Sequence, residues 1–477
     1  MKTYQQIGFF TGIILFVVVL MLPNPAGLSV EAQRIIAMAL LMISWWGTEA
    51  VPIAVTSVIP MTMLPLLGIY GKKAAELKIN AFAQYASPTV VLIGAILVMA
   101  GAMVKWNLHK RIALNIVVVM GNKPSRILLG FIIATAFVSL FMSNTTATAM
   151  MIPIALALVA QIGLDKGSPF SKALCLSVPY AASLGGIGTV IGTSTNITGV
   201  GLMRTMNVVD FSFFEWMKIG MPFVIVIVPL LWLFMVWFFK CNQTASVETN
   251  VIKKELDALG PMNKGELYTA VIFAVVILLL ATRVAWAHLA PGFNDTIISM
   301  VGLVAMFVVP VDWKKGVFVL DMKTALANVS LPTCLLVGGA LTLGDAIAKA
   351  GIATWMAEGL GFLHGIPPFA VVIFVGLVAA IITEFTTNVV VVAAFLPMLY
   401  ALSNQLGMPP MILMVTCTVA ASFAFMLPSG TPPNAVAYGS GAFEMKDLIK
   451  TGFGVKIVCL IAFPVVFYLF TMPLLGM

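Results

Sequence analysis

Four short polar runs interrupt otherwise apolar stretches of the sequence: Ser143-Asn144-Thr145, Gly192-Thr193-Ser194-Thr195-Asn196, Thr387-Asn388-Val389 and Gly430-Thr431-Pro432-Pro433-Asn434. A helix that stops inside an apolar segment leaves unpaired N–H groups at the start of its next half and unpaired carbonyls at the end behind it. The N–H end, with the helix dipole, favours an anion. Carbonyls joined by Ser, Thr and Asn oxygens make a hard site suited to a small cation. Gly192 and Gly430 allow close backbone approach, and Pro432 helps keep its loop open. None of the four runs contains Arg, Lys or His. A dianion placed there meets only neutral donors, at a large desolvation cost, unless cations bind beside it. Anion and cation then depend on each other, and sodium is the natural coupling ion. Ser, Thr and Asn also cap helices with no ligand nearby, so a single run carries little weight and four paired runs carry more. Glu384, Glu49 and Asp345 read as structural, and Trp45-Trp46 as packing or an interface belt.

The elements that hold these runs are apolar throughout. Hydrophobic residues make up 61% of 477 and charged residues 9%, with a mean hydropathy of +1.07. A soluble chain carries about 25% charged residues, so lipid is the solvent for most of this one. Stretches long enough to cross about 30 Å of hydrocarbon fall at 5–22, 35–45 continuing into 50–69, 82–104, 173–203, 211–239, 267–287, 294–311, 329–350, 411–440 and 453–475. The regions 126–161 and 367–402 are each broken near the middle by a polar run, and read as re-entrant helical hairpins. Such a break at membrane depth survives only where it is buried in protein or lines a cavity. The first apolar run resembles a signal peptide but ends in Pro23-Asn24-Pro25, and reads as an uncleaved first span. Of the 26 Lys and Arg, eighteen fall in loops that this arrangement places inside with the N-terminus, Lys2 and Lys456 among them. The net charge of +8 therefore does not point to nucleic acid. Five scattered cysteines, and His109, His288 and His364 lying far apart, suggest neither a disulfide framework nor a zinc site.

The polar runs recur at fixed distances. At an offset of 244, Pro88, Thr89, Gly94, Phe141, Asn144 and Pro153 meet Pro332, Thr333, Gly338, Phe385, Asn388 and Pro397. At 238, Ala182, Gly192, Thr193, Asn196 and Gly201 meet Ala420, Gly430, Thr431, Asn434 and Gly439. An odd number of spans separates the hairpins, so the repeat is inverted. The expectation is an all-α polytopic membrane protein: about eleven transmembrane helices plus two re-entrant hairpins in an inverted two-fold repeat. That is the architecture of secondary transporters, with the substrate near the midplane where the interruptions meet. An enzyme would need catalytic acids, bases or nucleophiles at that depth, and is not expected.

At these residues the sequence resembles the divalent anion:sodium symporter family, the INDY-type dicarboxylate carriers. The resemblance rests on Trp45-Trp46-Gly47-Thr48-Glu49-Ala50-Val51-Pro52, Trp106-Asn107-Leu108-His109, Ser143-Asn144-Thr145, Thr383-Glu384-Phe385-Thr386-Thr387-Asn388 and Gly430-Thr431-Pro432-Pro433-Asn434, and covers nearly the whole chain. It implies sodium-coupled symport of C4/C5 dicarboxylates such as succinate, malate, fumarate or 2-oxoglutarate across the plasma or bacterial inner membrane. The alternative is a sodium-independent dicarboxylate exchanger of the same fold. It implies an elevator-type homodimer among membrane lipids, with scaffold helices in 1–122 and 266–360, transport-domain parts in 123–240 and 361–477, and a cytoplasmic linker at 241–265. By motif position it places one sodium with Ser139, Ser143, Asn144 and Gly192, and a second with Thr383, Thr386, Asn388 and Gly430. Substrate carboxylates would meet Ser143, Asn144, Thr145, Thr193, Thr387, Asn388, Thr431 and Pro432. Two departures stand out: Val389 replaces a hydroxyl residue of the family's second triplet, and Ser194-Thr195 replaces a common Pro-Pro pair.

Overall fold

The computed structural model of the chain describes residues 3–241, 250–286, 288–359 and 365–475. Lys2, His364 and residues 242–249 of the expected linker lie outside the described residues. Almost every described element is an α-helix, as lipid requires: a helix pairs its backbone groups within one segment. Among the described residues the exceptions are short 3-10 turns at Ala83–Ala86 and Val190–Gly192, a π turn at Phe467–Thr471, and a small antiparallel hairpin, Pro310–Asp312 with Val317–Phe318, whose turn is held by Asp312 Oδ1 accepting from Lys314 N at 3.0 Å and Lys315 N at 3.2 Å.

Eight described helices are long and apolar enough to cross a membrane: Thr3–Met21, Pro88–Lys105, Asn144–Gln161, Phe213–Phe239, Lys264–Arg283, Leu331–Lys349, Asn388–Gln405 and Met445–Leu474. The pair Ile53–Leu66 and Gly71–Leu77, bent by 113° at Gly68 (φ +86°), would make a ninth. A left-handed φ of this kind is why glycine stands at the bend. Four apolar helices are shorter, at 11 to 16 residues: Pro124–Ser139, Asp295–Val308, Pro368–Ile382 and Pro410–Ala420. Three of them are arms that lead into polar interruptions, so their length is set by where the run falls and not by bilayer thickness.

Helix ends recur along the chain. Asn144–Gln161 and Asn388–Gln405 start and stop 244 residues apart, and each carries an interior proline, Pro153 and Pro397. Pro124 and Pro368 open the helices before them at the same offset. Thr193 (φ −147°, ψ 144°) and Thr431 (φ −147°, ψ 146°) share one extended conformation 238 residues apart.

The chain divides into two compact units, one of Met1–Val91, Ser194–Phe211 and Ser330–Ser422, the other of Leu92–Thr193, Ser212–Val329 and Phe423–Met477. In lipid, helices associate through close packing and interhelical hydrogen bonds more than through an apolar driving force. The first unit shows both at its N-terminal helix. Gly8 and Gly12 let Thr3–Met21 lie against Val30–Thr48, where a Cβ on Gly12 would come within 2.8 Å of the Trp45 indole. Ser44 Oγ donates to Gly8 O at 2.9 Å and Trp45 Nε1 to Phe9 O at 3.1 Å, with the Phe9 and Trp45 rings stacked. Trp46 is fully buried and donates to Ser57 Oγ at 3.1 Å. The tryptophan pair is packing. In the second unit, Pro169–Gly186 is buried along nearly its whole length. Lys456, counted above with the loop charges, lies buried inside Met445–Val466.

Polar clamps tie the ends of the second unit's helices. The largest joins Arg111 of Leu108–Val119 to buried Glu266, through Nε–Oε1 at 2.7 Å and Nη2–Oε2 at 3.1 Å. Lys105 pairs with Asp321 at 2.7 Å, and Trp106 Nε1 donates to Val319 O at 2.7 Å.

Candidate functional site

The first hairpin lies in the second unit. Helix Pro124–Ser139 stops, the chain turns through 140–142, and Ser143 starts helix Asn144–Gln161 as its N-cap. Ser143 Oγ accepts from Thr146 N at 3.2 Å and shares a 2.7 Å hydrogen bond with Thr146 Oγ1, so its hydroxyl is engaged in capping. Asn144 sits in the first turn, at the positive end of the dipole.

Around the Asn144 amide the structure gathers oxygens. The amide atom that the structure sets inward is Oδ1, at 2.7 Å from Ser139 Oγ. The same position lies 3.1 Å from Ala182 O and 3.2 Å from Gly192 O. Ser139 can donate its one proton to Oδ1, but the two carbonyls have nothing to accept. Two arrangements resolve this. The amide can turn its nitrogen inward and share its two N–H groups among the three oxygens, or it can keep its oxygen inward and share the cluster with a cation. Four uncharged oxygens of hydroxyl, amide and carbonyl type suit sodium in the second case. The walls are close: a Cβ on Gly192 would lie 2.8 Å from both Ser139 O and Gly186 Cα. Gly192 N is held by Thr189 Oγ1 at 3.0 Å, which fixes where its carbonyl points. The structure thus brings Ser139, Asn144 and Gly192 together, while Ser143 turns to Thr146.

The second tip belongs to the first unit. Thr383 Oγ1 contacts Asn388 Oδ1 at 2.8 Å and Ala421 O at 2.6 Å. One hydroxyl proton serves two acceptors, so one oxygen pair is left without a hydrogen between. The hydroxyl–amide contact repeats that of the first cluster, with Thr383 for Ser139 and Asn388 for Asn144, but here the alanine carbonyl lies against the hydroxyl, whereas Ala182 O lies against the Asn144 amide. Thr387 starts helix Asn388–Gln405 but caps nothing with its side chain. Thr386 Oγ1 and Thr387 Oγ1 are buried and bond to no protein group. Left this way, each buried hydroxyl costs about 1–3 kcal/mol, which a ligand would remove. Val389 is buried, 3% exposed.

Gly430 and Thr431 lie in the second unit, at the end of the non-helical backbone at 423–431. Asn434 Nδ2 donates to Ala424 O at 3.0 Å and Leu427 O at 3.1 Å, bracing that stretch, while its Oδ1 has no protein partner. Thr431 Oγ1 is buried and also without one. Pro432 and Pro433 have no N–H, so this helix start offers fewer backbone donors than the two tips. Thr193 and Thr145 are half-buried at the ends of their own elements.

The carbonyls of Ala182 and Ala421 escape sequence reasoning because a backbone oxygen carries no residue identity. The one available signal is the alignment of Ala182 with Ala420, a residue away from the carbonyl that takes part.

Apolar helices that stop inside the protein on oxygen-lined tips are the construction of a membrane transporter. Residues 4–477 match the family of the sodium:sulfate symporter transmembrane region, and the chain belongs to that family of transporters. It is similar to the sodium-dependent dicarboxylate transporter SdcS of Staphylococcus saprophyticus, 34% identical over 99% of this chain and 92% of that one. The SdcS protein of Staphylococcus aureus is likewise 34% identical, over 98% and 92%. Among solved structures, the Alcanivorax borkumensis YdaH transporter superposes with a TM-score of 0.60 at 13% identity, covering 94% of this chain and 98% of that one. Neisseria gonorrhoeae MtrF gives 0.57 at 13% identity, covering 99% and 95%. At such identity the likeness is one of fold.

Proposed function

We propose that this protein carries C4/C5 dicarboxylates, of the succinate, malate, fumarate and 2-oxoglutarate class, across the cell membrane by sodium-coupled symport. The observation that carries this reading is the Ser139–Asn144–Ala182–Gly192 oxygen cluster, whose two carbonyls need either an inward amide nitrogen or a cation. The sodium-dependent dicarboxylate transport named for the Staphylococcus relatives supports it. One sodium is assigned to this cluster, with Ser143 close in the chain, and a second to Thr383, Asn388 and the Ala421 carbonyl. The groups proposed for carboxylate binding are, within the second unit, the helix start at Asn144 and the hydroxyls of Thr145 and Thr431, and, within the first unit taken by itself, the helix start at Asn388 and the Thr387 hydroxyl. Sodium lowers the cost of bringing a dianion to neutral donors, which makes the two ligands bind together.

The mechanism proposed is an elevator within a homodimer, with the two halves as an inverted repeat and the N-terminus in the cytoplasm. The recurrence of helix ends at 244 and of the Thr193 and Thr431 conformations at 238 supports the repeat. The hairpins and broken spans of 123–240 and 361–477 would move, and the helices of 1–122 and 266–360 would stay with the bilayer. A thermal-shift screen of succinate, 2-oxoglutarate, citrate and sulfate, each in sodium and in choline, tests the ligand assignment. Stabilisation by a dicarboxylate that appears only with sodium is the expected result. Stabilisation by sulfate alone would replace the substrate class.

A further inference from the structure

The breaks at 187–193 and 423–431, both in the second unit, are closed by the same device. In the first half, Gly220 of helix Phe213–Phe239 packs on the backbone of Ile187 and Gly188, where a Cβ would lie 2.9 Å from Gly188 Cα. In the second half, Gly452 of helix Met445–Val466 packs on Phe425 and Met426, with its Cβ position 3.0 Å from Met426 Cα. Ile187 and Gly188 become Phe425 and Met426 at the broken-span offset of 238, and Gly220 becomes Gly452 at an offset of 232. The caps of the two closing helices, Ser212 and Glu444, keep that same offset.

Within this shared frame two positions on the closing face differ. One turn before the glycine, Trp216 donates from Nε1 to Ile187 O at 3.0 Å and satisfies a carbonyl of the first break. Its counterpart is Leu448, which has no donor. One turn after the glycine, Val224 is buried and apolar, and its counterpart is Lys456, buried at 5% exposure. Residues four apart share a helix face, so Lys456 lies on the face that meets the non-helical backbone at 423–430. A lysine inside a membrane helix is costly and is kept where it does work.

We infer that Lys456 is a positioning residue of the second broken span. Its ammonium supplies to the unwound carbonyls the donor that Trp216 supplies in the first half, and it adds a fixed positive charge to that side of the anion-binding machinery. The first half therefore relies on bound cations alone, whereas the second carries one charge of its own. This rests on the dicarboxylate reading above.

The test uses the purified full-length protein in proteoliposomes. Lys456→Gln keeps a donor without the charge, and Lys456→Arg keeps both. A unit charge within about 10 Å of a carboxylate, at an effective dielectric near 20, is worth roughly tenfold in affinity. Lys456→Gln is expected to raise the KM for succinate about tenfold and to raise the sodium concentration for half-maximal uptake. Lys456→Arg is expected to stay within about threefold of the native protein. A purely structural donor would leave both quantities unchanged in Lys456→Gln, and that result overturns the inference. Lys456→Met reads the same two quantities should Lys456→Gln fail to accumulate. If the native protein takes up no succinate, the dicarboxylate reading fails first. The charge inference is then judged on Lys456→Gln with whichever anion stabilises the native protein, where unchanged anion and sodium affinities overturn it.

Discussion

Replacing Asn144 by Asp removes one of the two ways in which the first oxygen cluster can be satisfied. The side chains are nearly isosteric, so helix Asn144–Gln161 keeps its start. In the native protein the amide can turn its nitrogen toward Ser139 Oγ, Ala182 O and Gly192 O, at 2.7, 3.1 and 3.2 Å. A carboxylate cannot donate to any of them. Two buried carbonyls then lose their donor at about 1–3 kcal/mol each, and a negative charge faces them. Without sodium, Asn144→Asp is therefore destabilised by at least roughly 2 kcal/mol, while with sodium bound the same oxygens plus a full charge favour the ion. Each 1.4 kcal/mol is tenfold, so the apparent sodium affinity rises by roughly 30-fold or more. The assay is thermal unfolding in detergent at pH 8 across a sodium series balanced with choline. Native and variant should differ most in choline and converge, or cross, in high sodium. Equal stability in choline, or a sodium response no steeper than the native one, would refute the two-state reading of the amide.

Three other outcomes follow from particular contacts. Gly192→Ala sets a methyl against the backbone of Ser139 and Gly186, overpacking by about 1–3 kcal/mol. It should raise the sodium concentration for half-maximal uptake roughly tenfold, and an unchanged sodium curve would count against the cluster. Val389→Thr adds a hydroxyl at a buried position beside Asn388, and should change the competition profile among dicarboxylates while the protein still folds; identical profiles would argue that the residue faces away from substrate. At the end of helix Pro88–Lys105, the hydrogen-bonded Lys105 ammonium, then the Thr324 N–H, hold the Asp321 carboxyl down to about 2. A depressed carboxylate stabilises the fold above its unfolded value near 4 and loses that contribution as pH falls through about 2. Asp321 is about half exposed, so the discounted contribution is about 1 kcal/mol. Asp321→Asn should lower thermal stability slightly at pH 7 and flatten the decline between pH 4 and 2, and unfolding curves against pH check both.

Much of the membrane architecture could be read from residue order. The hairpin regions at 126–161 and 367–402 hold helix–turn–helix units whose second helices start at Asn144 and Asn388, because an Asn flanked by Ser or Thr is a strong helix-start signal in an apolar run. The breaks at 187–193 and 421–431 were marked by Gly192 and Gly430. Other features left little trace. Val317–Phe318 is too short for a strand pattern, and Leu108–Val119 carries Lys110 and Arg111, which mask an amphipathic helix as a loop. Lys456 counts among the loop charges for the same reason: a charge reads as a loop until its burial is known. The site was legible in its side chains and not in its carbonyls. That Ser143 spends its hydroxyl on Thr146 while Thr387 leaves its own uncommitted is a matter of rotamer and packing, which the two triplets do not encode.

Uptake of labelled succinate into proteoliposomes tests the coupling of sodium to a dicarboxylate directly. With sodium outside and choline inside, the expected result is concentrative uptake that disappears when choline replaces external sodium, whether or not the vesicles are preloaded with succinate. Undiminished uptake in choline, driven by preloaded succinate, would contradict it and make the protein an exchanger.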